Sequence, residues 1–208
     1  MTTTQPARIF VGIKVTDEVA QELAELARPL EQQGVRLVPT IDIHLTLVPP
    51  WNEINIAAAA ETLQAAISYF KPFVLTFVHL GYGPKLREPR LLWVECAAST
   101  ELTDLRTMLL TAYGKCDSRP FLPHVSLARM LRNGRRIARR NPIDRTLLLT
   151  QLITSVELFR SSAHGQSGYR VLASLPLGCK PDAKTEKEPE SGAGQNCSGI
   201  KWSERMPS

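Results

Sequence analysis

The sequence is poor in the residues on which several functional classes depend. It has four cysteines in 208 residues (Cys96, Cys116, Cys179, Cys197), widely spaced and without a CxxC or Cys/His ligand pattern. That spacing predicts reduced, unpaired thiols and no structural zinc. No stretch approaches the roughly 18 consecutive apolar residues that a membrane helix needs. The opening Met-Thr-Thr-Thr-Gln-Pro-Ala-Arg lacks a basic segment followed by a long apolar one, so no signal peptide is expected and the predicted address is cytoplasmic. From Cys179 onward apolar periodicity gives way to Lys, Glu, Pro, Ser and Gly. Residues 179–208 are therefore expected to form a disordered polar tail, and 1–178 the folded domain.

What is present is ordinary for a globular protein, 43% hydrophobic and 22% charged, with one uneven feature. The net charge is +5, and the tail from Lys180 carries five basic and five acidic residues, so the excess belongs to the body. Seven arginines fall between Arg129 and Arg145 against one aspartate. Such a stretch suits a polyanionic partner through counterion release, although a solvated basic loop has the same composition.

Periodicity divides the body into alternating elements. Arg8–Val15 reads as a buried strand, and Val19, Leu23, Leu26 and Leu30 as the stripe of a helix begun at Thr16 or Asp17 and ended by Gly34. Short strands are expected at 35–38 and 42–48, a helix over 55–70, and strands at 73–80 and 91–97. A helix over 100–113 and a strand over 124–130 follow. After the arginine-rich stretch the pattern predicts a helix over 142–150, then a closing hairpin of 153–160 and 169–177 around Ala163-His164-Gly165.

One unit occurs twice. Strand, helix, proline-containing spacer and His44-Leu45-Thr46-Leu47 are followed later by strand, helix, proline-containing spacer and His124-Val125-Ser126-Leu127. Two similar lobes facing each other across a cleft are expected. On a strand, His44 and Thr46 share one face while Leu45 and Leu47 anchor the other, and His124 and Ser126 repeat the arrangement. With four histidines in the chain, two such patterns arise by chance in about 0.4% of cases, so the pair is read as functional. His79, on the face of Phe73, Leu75 and Phe77, is read as structural, and His164 as a surface residue.

The chemistry that fits is phosphodiester cleavage. One imidazole activates water while the other protonates the departing ribose oxygen of a cyclic phosphate, and Thr46 and Ser126 hold nonbridging oxygens. No metal or cofactor is needed, and two histidines without carboxylates or thiols make a poor metal site.

These motifs resemble the two-histidine (2H) phosphoesterase superfamily, and within it the bacterial and archaeal RNA 2′,3′-cyclic phosphodiesterases, long called 2′-5′ RNA ligases. The resemblance runs from Arg8 to Leu177. It rests on Arg-Ile-Phe-Val, His-Leu-Thr-Leu, Leu91-Leu-Trp-Val, Arg119-Pro-Phe-Leu-Pro-His-Val-Ser-Leu-Ala-Arg129, Ser155-Val-Glu-Leu-Phe and Gly168-Tyr-Arg-Val-Leu. It implies an α+β fold, bilobal, with two pseudo-twofold-related lobes of antiparallel sheet, helices outside and a central cleft. It also implies His44 as proton donor, His124 as acceptor, hydrolysis of RNA 2′,3′-cyclic ends to 2′-phosphates, and a reverse 2′-5′ ligation.

The sequence departs from the family after the first motif, where Val48-Pro49-Pro50-Trp51 replaces an aromatic and Leu-Gly. The prolines are expected to end the strand early, leaving Trp51 either as a substitute base-stacking residue or as packing. Strict alternation puts Arg129 on the core side, from which it reaches a phosphate only if the strand breaks near Ala128. The expected partner is RNA with a 2′,3′-cyclic phosphate end, bound by a monomer with no obligate protein partner and no membrane. The competing readings are a 2H phosphoesterase on a small cyclic nucleotide or ADP-ribose cyclic phosphate, and a non-catalytic RNA- or nucleotide-binding module.

Overall fold

A computed structural model describes residues 5–85, 87–161 and 168–178. The expected tail and the turn holding His164 lie outside these residues. The strands are β1 (Ala7–Lys14), β2 (Arg36–Leu37), β3 (His44–Glu53), β4 (Phe73–Gly83), β5 (Leu91–Cys96), β6 (His124–Arg129), β7 (Arg145–Ile153), β8 (Ser155–Ser161) and β9 (Tyr169–Pro176). The helices are α1 (Asp17–Ala27), α2 (Ile56–Ile67), α3 (Thr100–Ala112) and α4 (Gly134–Arg140). The fold is α+β, with one curled antiparallel sheet in the order β7-β4-β5-β6-β3-β1-β8-β9 and β2 on the end of β6.

The order is symmetric about its centre. Moving outward from the β6–β3 seam, β6-β5-β4-β7 on one side matches β3-β1-β8-β9 on the other. The two halves are not contiguous in sequence, because β1 and β3 are completed by β8 and β9 from the far end of the chain. The seam is narrow, with a single registered pair, Leu45 opposite Val125. Helices cross it instead: α1 of the first unit packs on β6, and α3 of the second packs on β3. Leu23 of α1 and Leu102, Leu105 and Leu109 of α3 are fully buried with Leu45 and Val125 in one core. Each such side chain contributes about 1.5–3 kcal/mol on burial, so the apolar layer rather than backbone pairing joins the halves.

Local departures from the sequence pattern have identifiable causes. The first helix stops at Ala27, and Arg28–Gln33 continues as a 3-10 turn because Pro29 offers no amide for the α-helical bond. The proline pair does not end its strand, since β3 runs through Pro49 and Pro50 to Glu53. Val11 pairs with Val48 and Ile9 with Trp51, so both prolines oppose Phe10 alone, in a bulge. β3 pairs with β6 only at Leu45, so little ladder is lost there through the missing amides.

The helix expected over 142–150 is instead β7. Leu147, Leu149, Gln151 and Ile153 alternate inward against β4, and a Leu-Leu-Leu run had carried both periods. The helix of this region lies earlier, within the arginines, and ends before Pro142. A further bulge between Phe77 and His79 takes His79 off the apolar face of β4, where it bonds Asp144 at 2.7 Å through Nε2.

Leu45→Ala is expected to lower unfolding free energy by about 2–5 kcal/mol. A double-mutant cycle with Val125→Ala should give a coupling of about 0.5–3 kcal/mol in urea denaturation. Additive effects would show that the seam pair does not couple the halves.

Candidate active site

The Leu45–Val125 pair fixes the geometry of the opposite face. In antiparallel register it sets His44 across from Ser126 and Thr46 across from His124. Cross-strand neighbours lie about 4.5–5.5 Å apart at Cβ, and diagonal ones about 7–8 Å. The two histidines are thus diagonal neighbours, each flanked by the other strand's hydroxyl, with the apolar residues between them turned into the core. Both rings are half-buried.

Each imidazole is oriented in the same way. Nδ1 of His44 lies 2.6 Å from the carbonyl oxygen of Asp42, and Nδ1 of His124 lies 2.7 Å from that of Leu122. A carbonyl only accepts, so Nδ1 must donate, and the neutral ring carries its free lone pair on Nε2. Thr46 and Ser126 hydroxyls have no side-chain bond among the described residues, leaving them available to a ligand.

The surroundings of the two rings differ. His44 sits among Phe10 (centroids 4.9 Å), Tyr169 (4.8 Å, edge-on) and Phe159 (5.4 Å). Gly12, opposite Thr46, leaves this cluster room, since a Cβ there would lie 2.5 Å from the Leu45 carbonyl oxygen and 3.5 Å from Phe159. His124 rests on Trp93 at 4.3 Å and lies across from Glu95, which in turn lies across from His79.

Burial is the main cause that holds both histidines below their ordinary pKa. For His44 the Asp42 carbonyl opposes this, Arg129 reinforces it, the Asp42 carboxylate opposes it and His124 reinforces it. For His124 the Leu122 carbonyl and then Glu95 oppose, while Arg129 reinforces.

Arg129 reaches this face because of a bulge in β6. Leu92 pairs with Ala128 but Trp93 with Ser126, so Leu127 is the extra residue, and Leu127 and Ala128 are both buried. Alternation resets, and exposed Arg129 emerges on the histidine side. The first motif has the same device: Val11 pairs with Val48 but Gly12 with Thr46, skipping Leu47. The residue in the place of Arg129 is there Pro49, so the first motif strand offers no guanidinium at that position. Arg129 Nη2 lies 3.5 Å from the hydroxyl of Tyr169, and so spans the cleft between halves.

His44, His124, Thr46, Ser126 and Arg129 are therefore brought together, and Trp51 is not. Trp51 pairs with Ile9 on the helical side, its ring 4.9 Å from Tyr113 and its Nε1 donating to Glu53 at 3.1 Å. Sequence reasoning missed Tyr169 and Asp42 as site residues. The Asp42 carboxylate accepts from the Tyr169 amide at 2.9 Å across 127 residues of chain, a contact with no local signature. Among the described residues, no group of three His, Cys, Asp or Glu side chains is placed to hold a metal ion, and no helix is long and apolar enough to cross a membrane.

The lowered pKa values have a consequence for stability. Between about pH 6.5 and the folded-state values, the unfolded chain binds more protons than the folded one. The histidines' contribution is therefore present above pH 6.5 and lost as pH falls through the folded pKa values. NMR titration should give both midpoints below about 6.5. Replacing both by asparagine should flatten the fall of Tm between pH 7 and 5.

Comparison with known proteins places the chain. The profile of the 2′-5′ RNA ligase superfamily matches residues 15–163. An RNA 2′,3′-cyclic phosphodiesterase of Archaeoglobus fulgidus is 26% identical over 63% of this chain and 77% of its own. One of Geobacillus stearothermophilus is 25% identical over 85% of this chain, which spans only 59% of that relative. A crystal structure of a Thermus thermophilus protein superposes with a TM-score of 0.69 at 21% identity, covering 84% of this chain and 100% of that one. Apo LigT of E. coli does so with 0.63 at 23%, covering 83% and 98%, which likewise speaks to the fold. With the family profile matched over most of its length, the chain belongs to the 2′-5′ RNA ligase superfamily.

Proposed function

We propose that the chain hydrolyses RNA 2′,3′-cyclic phosphate ends to 2′-phosphates, with His44 and His124 as an acid-base pair and no metal in the step. The observation that carries this is the pair of imidazoles with Nδ1 committed to backbone carbonyls and Nε2 left to act, set diagonally across one strand seam. The names of both curated relatives support the substrate class.

A cyclic phosphate lies between the rings, its nonbridging oxygens met by Thr46, Ser126 and Arg129. His124 Nε2 takes a proton from water as the water oxygen bonds to phosphorus. The P–O3′ bond breaks on the opposite side, and protonated His44 gives its proton to O3′. The product is a 2′-phosphate beside a 3′-hydroxyl, and the histidines have exchanged protonation states. The resemblance to the family assigns donor and acceptor. Replacing water by the 5′-hydroxyl of another RNA gives the ligation: a P–O5′ bond forms, the P–O3′ bond breaks, and the two protons move as before.

An anion between the rings explains how a histidine of lowered pKa serves as an acid. Burial, reinforced by Arg129, disfavours the imidazolium in the free protein, whereas a bound phosphodiester stabilises it next to the leaving oxygen. Tyr169, edge-on to His44 and within reach of Arg129, keeps ring and guanidinium in place.

With EDTA present, an oligoribonucleotide ending in a 2′,3′-cyclic phosphate should be converted to the 2′-phosphate, and His44→Ala or His124→Ala should each lower kcat by at least ~10²-fold. Because the free protein needs one ring neutral and one protonated, and both pKa values are lowered, kcat/KM should peak below about pH 6.5. A wild-type protein inert toward every cyclic phosphate would overturn the proposal in favour of a binding module.

A further inference from the structure

A second cation lies beside Arg129 on the cleft face. β2 is only two residues long, yet it pairs with β6 in the register Arg36 to Arg129 and Leu37 to Ala128. Leu37 packs on the core as Ala128 does, so Arg36 shares the face of Arg129 and of the histidines. Both arginines are exposed, and among the described residues neither is paired with a carboxylate. Like charges directly opposite on adjacent strands are unfavourable in the absence of an anion.

The positive charge continues beyond the strand. Asn133 takes the left-handed conformation (φ 58°) and turns the chain straight into α4. Gly134 lies so close to the Pro89 carbonyl oxygen that no Cβ fits between them. Met130 donates its amide to the Arg90 carbonyl at 2.8 Å, Ile137 is buried, and the Tyr82 hydroxyl bonds the Asn141 carbonyl at 2.7 Å. These contacts fix α4 at the Arg129 end of β6. Arg135, Arg136, Arg139 and Arg140 on it are exposed and have no carboxylate partner among the described residues. Asp144, the one acid in this stretch of sequence, is taken by His79 at 2.7 Å.

We infer that Arg36, opposite Arg129, holds the phosphodiester next to the cyclic end, and that α4 carries the phosphates beyond it, so that this chain selects RNA strands over mononucleotides. Guanidinium groups suit this because they meet phosphate oxygens in bidentate fashion and stay charged at every working pH. The inference rests on the proposed function for the identity of the reacting end, but the backbone track makes its own prediction.

Binding and turnover are measured separately. The first probe is a fluorescein-labelled oligoribonucleotide ending in a 2′-phosphate, read by anisotropy at several salt concentrations. Arg36→Gln should weaken binding about 5- to 10-fold at 0.1 M salt and reduce the slope of log K against log salt by about 0.7, the single-strand value for one phosphate contact. Replacing Arg135, Arg136, Arg139 and Arg140 together by glutamine should reduce the slope further. Arg28→Gln, on the helical side and paired with Glu25, should change neither.

The second measurement is the ratio of kcat/KM for an oligonucleotide to that for a mononucleotide 2′,3′-cyclic phosphate. Arg36→Gln should lower this ratio at least 5-fold. An unchanged ratio and slope in folded Arg36→Gln protein would overturn the inference. A wild-type protein that turns over neither substrate yet binds the oligonucleotide with the Arg36-dependent slope would instead count against the hydrolytic reading alone.

Discussion

A single cross-strand pair, Leu45 against Val125, governs the arrangement of the site. Because side chains alternate on a strand, burying these two residues in the core obliges their neighbours to face the other way. A slip of one residue at the seam would turn one motif strand over relative to the other, sending its histidine inward and its apolar seam residue outward. The core enforces register through α1 and α3, each of which packs on the opposite half's motif strand. The histidine face is therefore held by apolar packing behind it, which leaves its own polar groups free for a ligand.

Duplication extends further than the motif. Each half inserts one extra residue after the hydroxyl, Leu47 in one and Leu127 in the other, and so resets alternation at the same place. The bulge gives each half one more position on the cleft face. The halves fill it differently, with Pro49 in one and Arg129 in the other. A symmetric scaffold thus acquires an asymmetric charge, and Arg36 on the short β2 adds to the same side.

The two imidazoles inherit a similar contrast. His44 is enclosed by three aromatic rings from β1, β8 and β9, whereas His124 has one indole beneath it and a carboxylate across from it. Part of this contrast lies within the duplicated unit, in Phe10 of β1 and in Trp93 and Glu95 of β5. The rest, Phe159 and Tyr169, comes from the last two strands, which fold back on the first half.

The sequence by itself determined the elements with clean periodicity and, through strand alternation, that each motif histidine shares a face with its hydroxyl residue. The stripe of α1, the strands at β1 and β5, and the two His-apolar-hydroxyl-apolar patterns are local signals, written in residues one to four positions apart. The sequence pattern was silent or misleading where two periods overlapped, as at Leu147–Leu149, where only pairing with β4 selects a strand. It misled again at Pro49-Pro50, because whether a proline ends a strand depends on an unpaired edge and a bulge. The positions of Arg129, Arg36 and Tyr169 were decided by tertiary structure alone. Each depends on register between strands distant in sequence, a quantity that no window along the chain contains.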